Sequence, residues 1–97
     1  DRYSAVHDKK NNNLYITNQR DDSISIINMD KRENVKTLVD VFEYPEGIDI
    51  SYTQNLIVVA CWFEDNIILI NLNDLSVKKK IETSGGPRAF GSFIIKK

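Results

Sequence analysis

Asp22-Ser23-Ile24-Ser25-Ile26-Ile27-Asn28 and Asp65-Asn66-Ile67-Ile68-Leu69-Ile70-Asn71 are one seven-residue pattern written twice, 43 positions apart. Each opens on an acidic turn residue, runs through β-branched side chains and closes on Asn. The match extends upstream, where Tyr15-Ile16-Thr17-Asn18 lines up with Val58-Val59-Ala60-Cys61 at the same offset. Pro45-Glu46-Gly47-Ile48 lines up with Pro87-Arg88-Ala89-Phe90 at an offset of 42. Short apolar runs fill each unit, parted by Asn, Asp, Gly, Pro and Lys, which is the mark of strands joined by turns. The expected strands are Ser4–His7, Leu14–Asn18, Ser23–Met29, Val35–Val41, Gly47–Ser51, Leu56–Trp62, Asn66–Leu72, Val77–Thr83 and Ala89–Ile95. Helical spacing nowhere persists beyond about one turn.

A period near 42 with four strands per unit is the sequence signature of propeller blades. The expected fold is an all-β propeller segment: two four-stranded blades, over residues 4–41 and 45–83, with residues 87–97 as a closing or next inner strand. In Ile67-Ile68-Leu69-Ile70 both faces of the strand are apolar, so both need cover, which blades on either side provide. Ile24 and Ile26 share one face of their strand, with Ile27 and Met29 on the other. Lys78-Lys79-Lys80 on an outer strand reads as a charged edge that blocks edge-to-edge pairing. Gly47 opens an inner strand, where Val is expected to cost more than Asp30→Ala in an exposed turn.

Composition narrows the function classes. Ile, Val and Thr total 24 of the 97 residues and Ala only 3, a bias toward pleated, packed surfaces. Thirteen basic residues stand against 14 acidic ones, a net charge of −1, which argues against a nucleic-acid-binding face. The longest apolar run, Leu56 to Phe63, has 8 residues, too few for a membrane span. A single cysteine, Cys61, forms no disulfide within the chain.

The units resemble the YVTN repeat of bacterial and archaeal β-propellers. Leu14-Tyr15-Ile16-Thr17-Asn18 is similar to its "LYVTN" strand, Asp22 to Asn28 to the strand that follows, and Pro45-Glu46-Gly47-Ile48 to its turn into the next inner strand. Gly86-Pro87-Arg88-Ala89-Phe90-Gly91-Ser92-Phe93-Ile94 resembles the terminal "PRAFG-x-FI" of family members. The second unit departs from the pattern, with Val58 for the Tyr and Cys61 for the Asn. The resemblance implies a ring of about seven blades, of which this chain is the C-terminal part. It also implies a secreted, periplasmic or surface protein, in some members a lipoprotein anchored through the N-terminus. The matching residues set strands and turns and imply no catalytic role. The fold is shared with heavy chains of quinone-dependent amine dehydrogenases and with a lactonase family, and some two-blade lectins assemble rings from several copies.

With inner-to-outer strand order, the loops Gln19–Ser23, Glu43–Gly47, Trp62–Asn66 and Ser84–Ala89 share one rim. The loops Asp8–Asn13, Asp30–Asn34, Tyr52–Asn55 and Asn73–Ser76 share the other. On the first rim the turn carrying Arg20, Asp21 and Asp22 is equivalent to the turn carrying Trp62, Phe63 and Glu64 in the next blade. These six residues and Arg88 are the candidate partner or ligand contacts, because aromatic side chains in a turn invite a covering partner. No loop has the dense alternating oxygens of a calcium site, so no metal and no cofactor are expected. His7 stands alone without ligand-spaced companions, and Cys61 reads as a small buried hydrophobe. The expected function is a non-enzymatic binding or scaffold module whose rim contacts a protein or glycan, its further partners being the remaining blades of a longer chain. The alternatives are a propeller subunit of an enzyme and a self-assembling lectin.

Overall fold

The computed structural model describes residues 4–38, 43–61 and 65–82. Eight strands follow in order: β1 Ala5–Asp8, β2 Asn13–Asn18, β3 Ser23–Asn28, β4 Glu33–Leu38, β5 Gly47–Ser51, β6 Leu56–Cys61, β7 Asn66–Asn71 and β8 Val77–Glu82. They form two four-stranded sheets, β1-β2-β3-β4 and β5-β6-β7-β8, each an antiparallel meander. The first sheet is called sheet 1 and the second sheet 2.

The 43-residue repeat reaches into the backbone. Asn12, Asp22 and Arg32 have positive φ in sheet 1, and Asn55, Asp65 and Leu75 have it 43 positions later. Asn and Asp tolerate this left-handed region, which explains the Asn and Asp at the hairpin turns, while Arg32 and Leu75 adopt it against preference. The register slips between Ile26 and Ile27 on β3 and between Leu69 and Ile70 on β7, again 43 apart. Such bulges add twist to the outer edge of each sheet.

Alternation along the strands puts Tyr15, Ile24 and Ile26 on one face of sheet 1, and Ile50, Ile57, Val59, Cys61, Ile68 and Ile70 on the facing side of sheet 2. Together with Leu72 they make one buried cluster. The sheets come closest where β1 and β2 meet β5, so they diverge from their inner strands as neighbouring blades do. A second cluster, Leu56, Val58 and Ile67 with Leu69 and Ile81, lies on the face of sheet 2 turned away from sheet 1.

Over the described residues the observed strands follow the expected ones within one or two residues; the expected strand ends at 39–41, 62 and 83, and the strand Ala89–Ile95, lie outside the described residues. Two expectations change. Met29 falls in the turn after β3 and is 40% exposed, and Ile27 is only half-buried, because no described element covers that face of sheet 1. Gly47 is less crowded than expected: a Cβ there would meet the Ala60 Cβ at 3.6 Å, ordinary contact distance. Lys78, Lys79 and Lys80 are exposed on the edge strand β8.

Candidate functional site

The first rim carries Arg20 and Asp21 in a 3-10 turn that spans Gln19–Asp21, with Asp22 as its left-handed C-terminal cap. Arg20 and Asp21 are exposed. Asp22 has a structural task. Its Oδ1 accepts the Tyr44 N–H at 2.8 Å, which ties the β2–β3 turn to the segment entering β5. Trp62, Phe63, Glu64 and Arg88 lie outside the described residues. At the same rim Ser4 Oγ donates to the Glu46 carbonyl at 3.1 Å, pinning the start of sheet 1 to the start of sheet 2.

The opposite rim holds an arrangement that sequence reading did not single out. Asp8 ends β1 with no exposure at all, and its carboxylate accepts five hydrogen bonds. Oδ1 takes the N–H groups of Lys10 at 3.0 Å and Asn11 at 3.4 Å and the Tyr52 hydroxyl at 3.2 Å. Oδ2 takes Asn11 Nδ2 at 2.9 Å and the Tyr15 hydroxyl at 3.0 Å. Burial raises the Asp8 carboxyl, but the bonds from Asn11, Tyr15 and Lys10 outweigh it and hold it below the ordinary carboxylate value. Burial first, and then the neighbouring carboxylate, push both phenols upward, so Tyr15 and Tyr52 remain protonated donors. Tyr52 comes from sheet 2, so this carboxylate is a bond between sheets.

The repeat shows why the site occurs once among the described residues. The residues 43 positions after Asp8 and Tyr15 are Ser51 and Val58. Val58 has no hydroxyl to satisfy, and Ser51 Oγ only accepts the Gln54 N–H at 3.3 Å and pairs with Thr53 at 3.4 Å. Carboxylate and phenol disappear together, as expected where a buried donor and its acceptor satisfy each other.

Beside this bond a pocket of about 380 Å³ opens along the seam, with Val6, His7 and Lys9 on the sheet 1 side and Asp49, Ile50 and Tyr52 on the sheet 2 side. The Tyr52 hydroxyl also accepts the Lys9 N–H at 3.0 Å, and the Lys9 ammonium sits 5.7 Å from the centre of the Tyr52 ring. His7 is exposed, its Nε2 is bonded to Asn12 Oδ1 at 2.8 Å, and Asn12 is held in turn by Asp30 at 2.7 Å. Cys61 is fully buried and burial pushes its thiol up to about 11, which suits a packing residue rather than a nucleophile. Among the described residues no cluster of three or more His, Cys, Asp or Glu side chains is placed to hold a metal, and no helix is long and apolar enough to cross a membrane.

Two antiparallel four-stranded sheets, splayed from their inner strands and repeating every 43 residues, are blades of a β-propeller. Solved structures of propeller proteins are similar to this segment. A chain of Kuenenia stuttgartiensis hydrazine synthase is 26% identical over 82% of this chain, with a TM-score of 0.73. Citrobacter koseri AztD is 19% identical over 84%, with a TM-score of 0.68. The matched segments are 23% and 24% of those chains, so this chain spans about a quarter of their length. No family model and no curated protein matches it.

Proposed function

We propose that the chain is part of a non-enzymatic β-propeller module of an extracytoplasmic protein, a rigid scaffold whose rim turns contact a protein or glycan. The observation that carries this reading is the seam. One continuous buried cluster joins the sheets, and hydrogen bonds close it at both rims, Ser4 to Glu46 and Asp8 to Tyr52. Sheets so joined present short turns in fixed positions, and the 3-10 turn holds Arg20 and Asp21 out in solvent. The similarity of the repeat to YVTN propellers supports an extracytoplasmic site and a longer ring. The half-exposed face of sheet 1 supports a further blade on that side. A second reading, a propeller component of an enzyme, is supported by the likeness to a hydrazine synthase chain.

The test is binding of the full protein to immobilised glycans and extracellular matrix proteins, beside a double variant Arg20→Ala, Asp21→Ala. The expected result is retention of the native protein on at least one surface, lost at least about tenfold in the variant, with an unchanged melting temperature. Equal retention of the two proteins overturns the assignment of this rim.

A further inference from the structure

The seam pocket lies on the rim opposite Arg20 and Asp21 and has no part in the reading above. We propose that it binds a small organic monocarboxylate carried on a compact apolar body. Its 380 Å³ falls within the range of small-molecule sites, about 300–1,000 Å³. Val6 and Ile50 make an apolar floor, one from each sheet. The charged wall is Lys9, and three contacts set it in place before any ligand arrives. Its backbone N–H is bonded to the Tyr52 hydroxyl at 3.0 Å, that hydroxyl donates to Asp8 at 3.2 Å, and its ammonium rests over the Tyr52 ring at 5.7 Å. Preorganised groups lose little freedom on binding, so more of the contact energy appears as affinity.

Asp8 does not use up the Lys9 charge. It has no exposure, and its oxygens already accept five hydrogen bonds, more than the roughly four lone-pair sites of a carboxylate. Lys10 follows in the same exposed turn and adds positive potential. Asp49 stands on the sheet 2 side with its Oδ1 on the Ile50 N–H at 2.8 Å. Its negative charge sets a direction: an anionic group is drawn to Lys9 and repelled from Asp49, and the apolar body lies over Val6 and Ile50. Inorganic phosphate has no apolar body to lie over Val6 and Ile50 and so makes only the charged part of the contact.

The probes are benzoate, its neutral isostere benzamide, and inorganic phosphate, titrated into the ¹⁵N-labelled chain and followed by amide shifts. Benzoate is expected to move the Lys9, Ile50 and Tyr52 amides along saturating curves, with benzamide and phosphate at least about tenfold weaker. Lys9→Met keeps the stem and removes the charge, and is expected to weaken benzoate at least about tenfold with no loss of melting temperature. The Arg20→Ala, Asp21→Ala protein is expected to bind benzoate as the native one does, which separates this site from the other rim. Benzoate and benzamide titrating alike, Lys9→Met binding like the native protein, or no saturating shift up to millimolar benzoate each overturns the proposal.

Discussion

Sheet 2 turns Ile57, Val59, Ile68 and Ile70 onto sheet 1 and leaves none of them more than 1% exposed. The residues 43 positions earlier, Leu14, Ile16, Ser25 and Ile27, occupy the corresponding face of sheet 1 and are all half-exposed. Strand position, bulge and turn geometry match between the two sheets, so local structure does not explain the difference. A neighbouring sheet does. Burial in a repeat fold belongs to the interface between units rather than to the unit itself. Where sheet 1 departs from the apolar pattern, polar groups satisfy each other: Asn18 Nδ2 donates to Ser23 Oγ at 3.1 Å and to Ser25 Oγ at 2.9 Å.

Ile70→Ala and Ile27→Ala put this comparison to the test at one repeat position. Removing Ile70 empties the inter-sheet cluster and is expected to cost about 2–5 kcal/mol, whereas Ile27→Ala is expected to cost about 1 kcal/mol, both read from urea unfolding. Equal costs contradict the asymmetry of the two faces.

The next largest effect belongs to the bond between sheets. Asp8→Asn exchanges one acceptor oxygen for a donor, leaves a tyrosine hydroxyl unmatched, and is expected to cost about 1–3 kcal/mol at pH 7. The Asp8 carboxyl is held below its ordinary value in the folded chain, so its contribution is complete above that value. It is lost as pH falls through the depressed folded value, because the unfolded chain then binds more protons. The gap in melting temperature between native and Asp8→Asn proteins is therefore expected to narrow below about pH 4. A gap that is constant or widens in acid contradicts the ionised bond. Ser51→Ala, at the equivalent position of sheet 2, is expected to show no such pH dependence.

The smallest effect is expected at Gly47. Ala there gains an ordinary contact with Ala60 and restricts the unfolded chain, so Gly47→Ala is expected to stabilise by about 0.5 kcal/mol. A loss of melting temperature contradicts the spacing of β5 and β6.

Much of this architecture is legible in the sequence because period and alternation are local properties. Asp22 to Asn28 and Asp65 to Asn71 announce β3 and β7, and the Asn and Asp before them announce the turns. The seam is another matter. Asp8 looks like the first residue of a Lys-Asn turn, and its real partners, Tyr15 and Tyr52, stand 7 and 44 positions away. Nothing in alternation says which turns meet across two sheets, although placing Asp8–Asn13 and Tyr52–Asn55 on one rim was a necessary step. The absent signal was in the repeat itself: Asp8 and Tyr15 change together to Ser51 and Val58, the trace of a paired donor and acceptor.

The central claim is that the two sheets share one core as adjoining blades. It is tested most directly by methyl-labelled NMR of the chain, reading through-space cross-peaks between isoleucines. Ile24 and Ile26 of sheet 1 are expected to show cross-peaks to Ile57, Ile68 or Ile70 of sheet 2. Cross-peaks confined within each sheet contradict the shared core.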